Sequence, residues 1–124
     1  MTANEKLSEL LRALSHPHRR VVLYYLREHE RASLETLAGC ATGWLESGPG
    51  RATGVTTEHE AVRAQLHHSH LPMLAETGVL TYDIDSREVR LGDLPAMAET
   101  LVSTVLTFEA GDAGIEGIAA HAEE

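Results

Sequence analysis

The sequence predicts a mainly helical α+β fold with a small β-hairpin, and two observations support this. Hydrophobic residues make up 43% of the 124 positions but aromatic residues only 4%, so Leu, Val and Ala must fill most of the core, as in packed helices. In the stretch from Val62 to Leu80, apolar residues recur at helical spacing as far as Gly78, and strand-type residues follow directly. A chain of this length predicts one domain with its own core.

Three helices are predicted ahead of this stretch. Four leucines recur at helical spacing within residues 5–14 and indicate a short first helix. Pro17 ends that pattern and suits the first turn of a second helix, which runs to about Glu30. Ser33 is a typical N-cap, and we expect a third helix from there to about Glu46.

A loop is predicted at residues 47–54, SGPGRATG, because glycine and proline make up half of it. The helix that follows spans about residues 57–76, and Pro72 is expected to bend it near residues 68–72. Its apolar side consists of two adjacent rows, Val62, Leu66, His70 and Met73 in one and His67, Leu71 and Leu74 in the other. Its opposite face carries side chains that can donate hydrogen bonds, namely Arg63, Gln65, His68 and Ser69. This face is where the helix would meet a partner.

The rest of the chain predicts a hairpin and a closing helix. Residues 79–91 indicate two short strands around a turn at residues 85–87, and residues 94–109 indicate a last helix. Apolar residues cover more than one face of that helix, which is more than a small monomer can bury. We therefore expect a C2 homodimer, with these residues at its interface: Leu94, Met97, Leu101, Val105 and Phe108.

This order of elements is that of a winged helix-turn-helix domain with a C-terminal dimerisation helix. We assign the domain to residues 1–110. Residues 111–124 are predicted to form a flexible acidic tail.

Two segments carry a family resemblance, LSHPHRRVVLYYLRE and HLPMLAETGVLTYD. They resemble the most recognisable blocks of ArsR-type winged-helix regulators, and more closely those of an uncharacterised winged-helix family abundant in haloarchaea. The likeness covers about residues 7–92.

The resemblance implies a homodimeric, DNA-binding transcriptional regulator. The helix of residues 57–76 would read the major groove of double-stranded DNA, and the wing of residues 79–91 would contact the backbone. Matched position by position, the DNA-binding residues are Arg63, Gln65, His68 and Ser69 on the helix and Arg87 and Arg90 on the wing. Alternatively, Arg63 pairs with an acid such as Glu58, Glu60 or Asp93.

The charge indicates the conditions in which the protein works. The formal net charge is −9, and Lys6 is the only lysine beside nine arginines. Acidic excess with little lysine suggests adaptation to high salt. Residues 93–124 hold seven acidic and no basic groups, so a surface for a polyanion is expected away from the C-terminus. We expect a cytoplasmic protein without membrane association, because no apolar run is long enough to span a bilayer and the N-terminal residues lack the pattern of a secretory signal.

The residues predict no enzyme, no cofactor and no metal site. Phosphate-binding loops and nucleophile elbows are absent, and the single cysteine, Cys40, excludes an intrachain disulfide. His67 and His68 point about 100° apart on a helix and His70 points in a third direction, so one ion cannot bind all three. His16, His18 and Cys40 could also suggest a metal sensor, but we expect these histidines to pack in the interior and to hydrogen-bond the backbone.

A second hypothesis comes from a different functional class. The acidic surface and the weakly basic helix face also suit a winged-helix module that has lost DNA binding and docks a protein partner through its apolar last helix. DNA binding in molar KCl distinguishes the two hypotheses.

Overall fold

The computed structural model describes residues 3–46 and 55–110 and confirms a mainly helical α+β fold with a winged-helix-like order of elements. The predicted loop at 47–54 and the predicted tail at 111–124 lie outside the described residues. In chain order the elements are α1 (Ala3–Ala13), α2 (Pro17–His29), β1 (Arg31–Ser33), α3 (Leu34–Glu46), α4 (Val55–Gln65), a π-helical turn (Leu66–His70), α5 (Leu71–Thr77), β2 (Leu80–Asp83), β3 (Glu88–Leu91) and α6 (Ala96–Ala110). None of the helices in this described part is long and apolar enough to cross a bilayer.

The boundary between α1 and α2 follows from Pro17, as predicted. His16 precedes it in extended geometry (φ −121°, ψ 132°), and its Nδ1 accepts a hydrogen bond from the backbone N–H of His18. Pro17 occupies the first turn of α2, where its missing N–H costs nothing. Helix α2 then places a run of apolar side chains in the core: Val21, Val22, Leu23, Tyr24 and Leu26.

Segments α4, the π-helical turn and α5 follow one another without a break, and together they form what we call the long helix (residues 55–77). In the π-helical turn the N–H of Leu71 donates to the carbonyl of Leu66, five residues back. The extra residue advances the buried row, which therefore passes from Leu66 to Leu71 and Leu74. His70 is also buried, whereas Met73 and His67 are only half-buried. The π-helical turn overlaps residues 68–72, where a bend was expected from Pro72.

The predicted hairpin forms, with Tyr82 opposite Val89 in the β2–β3 register. Its turn is stabilised by Asp83, whose Oδ1 accepts from the backbone N–H groups of Asp85 and Ser86. The hairpin is nevertheless part of a three-stranded antiparallel sheet in the order β1-β3-β2. Strand β1, which the sequence did not predict, pairs with β3 through Ala32 opposite Val89.

Two glycines join the long helix to the wing. Gly78 ends α5 in the left-handed conformation (φ 85°), as its position after the apolar pattern predicts. Gly92 leaves β3 so close to the same bend that a Cβ there would lie 2.4 Å from the Gly78 carbonyl oxygen. The exit of the wing is therefore packed directly against the end of the long helix.

Helix α6 buries one face against the rest of the chain through Ala98, Val102 and Leu106. It begins at Ala96, so Leu94, which we expected inside the helix, lies in the segment before it. Leu94 is half-buried and packs against the core.

Glu109, near the end of α6, fastens that helix to α2. Its Oε1 accepts from Arg20 Nε (3.0 Å) and from the hydroxyl of Tyr24 (2.8 Å), and its Oε2 accepts from Arg20 Nη2 (3.0 Å). Burial alone raises the pKa of the Glu109 carboxyl, but the hydrogen bonds from Arg20 and Tyr24 outweigh it and lower the pKa below its ordinary value of 4.5.

We predict that Glu109→Gln lowers the free energy of unfolding by about 1–3 kcal/mol at pH 7, because a charge-assisted, bidentate contact is lost. A carboxyl whose folded-state pKa is lowered stabilises the fold above its ordinary pKa and loses that contribution as the pH falls through the folded-state value. The difference between wild type and variant should therefore shrink below about pH 4.5. Urea unfolding followed by circular dichroism across pH 3–7 measures both quantities.

Glu99→Gln is the matched control on the same helix. Glu99 is half-exposed and lies 3.9 Å from Arg27 Nε, so its loss should change stability by no more than about 0.5 kcal/mol. Equal losses in the two variants would show that the Glu109 contact does not fasten α6.

Candidate nucleic-acid interface

The polar face of the long helix is open to solvent at three of the four predicted positions. Gln65, His68 and Ser69 are all exposed, while Leu66 between them is completely buried. The buried side holds the helix on the core, so the exposed side chains stand in a fixed row on its outer face.

Arg63, the fourth predicted residue, is half-buried and already has a partner. Its Nε donates to the Glu35 carboxylate, which lies in the first turn of α3. The sequence suggested other acids for this role, because Glu35 is 28 positions away and no local spacing indicates it. The pair ties the long helix to α3, the element before it in the predicted helix-turn-helix.

The two wing arginines differ in their surroundings. Arg87 is exposed at the tip of the turn, where its backbone has a positive φ of 61°. Arg90 lies on β3 with its Nε 3.0 Å from a Glu88 carboxylate oxygen, and both side chains are largely exposed. An exposed pair of this kind contributes little to stability, so Arg90 can exchange Glu88 for another anion at low cost.

His67 and Tyr82 connect the long helix to the wing. His67 Nδ1 and the Tyr82 hydroxyl are 2.7 Å apart, and the two rings meet edge to face. The pKa of His67 is lowered, first by burial and then by the charges of His68, Arg87 and Arg63. Burial raises the pKa of Tyr82, and the same two arginines oppose that shift. The charges of Arg63 and Arg87 therefore both act on the His67–Tyr82 pair. The helix and wing parts of the predicted site are neighbours at this contact.

Four of the five residues predicted for dimerisation lie on the outward side of α6, whereas Leu94 lies before the helix and packs against the core. Phe108 is 92% exposed and Met97 43%, while Leu101 and Val105 are half-buried. Two exposed leucines of α1 border the same side, because open grooves between the helices are lined by Leu7 with Met97 and by Leu11 with Phe108. We call this surface the α1–α6 apolar face; its residues are Leu7, Leu11, Met97, Leu101, Val105 and Phe108. The sequence analysis did not predict that α1 contributes to this surface, although the three closely spaced leucines of that helix, Leu7, Leu10 and Leu11, indicate more apolar side chains than one buried face needs.

The three neighbouring histidines of the long helix, His67, His68 and His70, do not lie together in the structure. His67 and His68 belong to the helix–wing side, whereas His70 is buried against the start of α2 beside His16 and His18. Cys40 is buried in the core and is not part of this histidine group. The chain therefore has two separate groups of histidine rings, one beside the wing and one at the start of α2.

Fold and surface together define a small α+β protein of winged-helix-like order, with a polar helix face beside a β-hairpin wing. A family model described as "Domain of unknown function (DUF7344)" matches residues 11–90, and the chain belongs to this family. The match runs from within α1 to β3 and ends before α6. Comparison with curated proteins gave no match, and comparison with solved structures gave none either.

We predict that the His67–Tyr82 hydrogen bond couples the long helix to the wing by about 0.5–1.5 kcal/mol. Tyr82→Phe keeps the ring and removes the hydroxyl, and His67→Leu removes the partner. A double-mutant cycle on these two substitutions, measured by urea unfolding, isolates the coupling energy. Strictly additive losses of stability would show that the two groups do not interact.

Proposed function

We propose that this protein is a homodimeric DNA-binding transcriptional regulator of ArsR-like type, rather than an enzyme, and that it works in a cytoplasm of high salt concentration. The observation that carries the proposal is the row of exposed hydrogen-bonding side chains on the long helix, Gln65, His68 and Ser69, standing beside a wing that bears Arg87. A helix held on the core by its apolar side and polar on its outer side has the form that enters a major groove.

Each side chain has a distinct task in this proposal. Gln65 can bond two edge atoms of an adenine, and Ser69 and His68 can donate to base or phosphate oxygens. Arg63 lies on the same helix and reaches DNA by exchanging Glu35 for a guanine edge or a phosphate. Arg87 and Arg90 of the wing contact the backbone and fix the orientation of the domain.

The low positive charge of this surface fits a high-salt environment. Two of its arginines are paired with carboxylates, Arg63 with Glu35 and Arg90 with Glu88, and the whole chain has a net charge of −9. Counterion release, the usual source of affinity for DNA, becomes small in molar salt. Specific hydrogen bonds to base edges must then contribute a larger share of the binding free energy.

A second copy of the chain is the proposed occupant of the α1–α6 apolar face. A regulator that reads two half-sites needs a two-fold axis, and in a C2 dimer the same surface is used by both subunits. The face lies on the helix that Glu109 fastens to the body of the domain. A dimer built there would hold its two long helices at a fixed separation.

One set of observations favours the alternative, a winged-helix module that binds a protein and not DNA. Phe108 is 92% exposed, and two of the proposed DNA-binding arginines are occupied by acids. In that case the α1–α6 apolar face would receive the protein partner, and the protein would bind no DNA sequence selectively in molar KCl.

We predict that Arg63→Ala combined with Gln65→Ala lowers the affinity for a specific duplex at least about 100-fold while the fold remains intact. The duplex is first selected from a random-sequence pool with the wild-type protein in 2 M KCl. Its affinity is then measured by fluorescence anisotropy against a scrambled duplex of equal length, and circular dichroism reports the fold.

Two variants sharpen this test. Arg12→Ala removes an equal charge from the exposed surface of α1 and should leave binding unchanged. Glu35→Gln releases Arg63 and removes a negative charge near the DNA, so it should strengthen binding by a few-fold. If selection enriches no sequence, or if the double variant binds as wild type does, the assignment of this helix face is wrong.

We also predict that the protein sediments at twice its chain mass of 13.5 kDa and that Phe108→Asp converts it to a monomer. The introduced carboxylate would have to be buried without a partner in the dimer. Analytical ultracentrifugation in 2 M KCl measures both species.

Ile84→Asp is the control, because Ile84 is a large apolar residue that is 64% exposed on the wing and distant in sequence from the α1–α6 apolar face. It should leave the dimer intact. A monomeric wild-type protein, or a dimeric Phe108→Asp variant, would exclude this interface.

A further inference from the structure

Three histidines from two distant parts of the chain meet at one place. His16 and His18 lie at the start of α2, and His70 closes the π-helical turn of the long helix. Ring nitrogens that can bind a metal, one from each residue, all lie within 4.8 Å of one another. The centroids of the His16 and His70 rings are 4.3 Å apart, and those of His16 and His18 are 4.8 Å apart.

The backbone of both segments is specialised at this place. The break before Pro17 holds His16 in extended geometry, so that its ring folds back over the first turn of α2. The π-helical turn adds a residue to the long helix directly ahead of Leu71, and His70 is its last residue. Such turns are found frequently at functional sites, because they reorient one side chain without ending the helix.

The ring nitrogens of this cluster are incompletely used by the protein. His18 is only 8% exposed, and its Nδ1 has no hydrogen-bond partner among the described residues. His70 is 7% exposed, and its Nδ1 lies 3.2 Å from Arg19 Nη1. A buried polar nitrogen without a partner is destabilising, so a ligand bound at His18 Nδ1 would remove that cost.

All three rings are in the charge state that binds metals. Burial is the largest cause that lowers the pKa of each ring. Together with His16 it lowers the pKa of His18 to about 4, and together with His16, His18 and Arg19 it lowers the pKa of His70 to about 4. The pKa of His16 is lowered by burial and by Arg19 and Arg20. Neutral imidazole is the ligating form, and protons therefore compete little with a metal at neutral pH.

Arg19 and Arg20 both oppose a cation here, but Arg20 is paired with Glu109 and Arg19 is held by other contacts. Its guanidinium donates to the Ala13 and Arg12 carbonyls and to the Ser15 hydroxyl at 2.9–3.1 Å. It therefore stays in place if His70 turns its ring toward an ion. Binding an ion breaks the hydrogen bond between Arg19 and His70, and it also breaks the cap bond of His16, because the nitrogen lone pairs are needed for the metal.

The geometry points to a binding site for one divalent transition-metal ion, Zn²⁺ in the first instance, formed by His16, His18 and His70. Tetrahedral zinc with bonds of about 2.0–2.1 Å needs ligand nitrogens roughly 3.3 Å apart, so rotations that close the rings by about 1.5 Å complete the site. Three imidazoles leave the fourth position to water. Hard cations such as Mg²⁺ and Ca²⁺ are excluded, because they prefer oxygen ligands and the cluster offers none.

The site would tie the start of α2 to the π-helical turn of the long helix. It does not depend on the proposed function, since the ion would be held whether or not that helix reads DNA. His67, His68 and His70 point in different directions on one helix and cannot share an ion, but the cluster of His16, His18 and His70 shares only His70 with that set.

The 124-residue protein, freed of metal with EDTA and dialysed, is titrated with ZnSO₄ by calorimetry in KCl buffer. We expect one Zn²⁺ per chain and a rise in melting temperature. His18→Gln and His70→Gln should each weaken binding at least about 100-fold. His68→Gln, on the exposed face of the same helix, is the matched control and should bind as wild type does. Equal losses in control and cluster variants, or no zinc bound by wild type, would overturn the site.

Zinc-edge X-ray absorption on the wild-type protein provides a test that does not rely on variants folding. Three imidazole nitrogens at about 2.0–2.1 Å would support the site. A shell made of oxygen atoms, or of a single imidazole, would exclude it. Co²⁺ substitution adds a visible spectrum that distinguishes tetrahedral from octahedral binding.

Discussion

The packing of the long helix is the constraint on which the rest of the molecule depends. Leu66, Leu71 and Leu74 are completely buried, and the first two are five residues apart. A regular α-helix cannot place two residues at that spacing on one line, because five residues turn the helix through about 500°. The π-helical turn absorbs the difference, so one continuous helix buries its apolar side against α2 and α3 while its polar side stays in water.

The sequence predicted those parts of the fold that short-range patterns determine. Regular elements were predicted well, because their signals lie within a few residues of the element itself. Helical leucine spacing and Gly78 are two such signals. Ser33 is a third, and its Oγ accepts from the Thr36 N–H at 3.0 Å. Two adjacent apolar rows were predicted for the long helix, and the π-helical turn shifts the buried side from the first row to the second. Buried residues are therefore Val62, Leu66 and His70 of one row and Leu71 and Leu74 of the other, while Met73 and His67 are half-buried. Strand β1 was missed because three residues carry no alternation of their own. It exists only through pairing with β3.

In the candidate sites, features set by neighbouring residues could be predicted, and contacts between distant parts of the chain could not. The exposure of Gln65, His68 and Ser69 could be predicted, because helical periodicity assigns a face to each residue. The pairing of Arg63 with Glu35 could not, and neither could the meeting of His70 with His16 and His18, since the partners are 28 residues apart in the first case and more than 50 in the second. The spacing of residues along one helix shows only whether possible metal ligands on that same helix converge. For this reason it gave no indication of a cluster shared between two elements.

Helix α2 links the two ends of the molecule through adjacent residues. Arg19 contacts His70 in the long helix, and Arg20, the next residue, holds Glu109 in α6. Both guanidinium groups also donate to carbonyls at the end of α1. A displacement of the α2 N-terminus would therefore move the long helix and α6 together, so the two surfaces that these helices carry are mechanically linked through one helix turn.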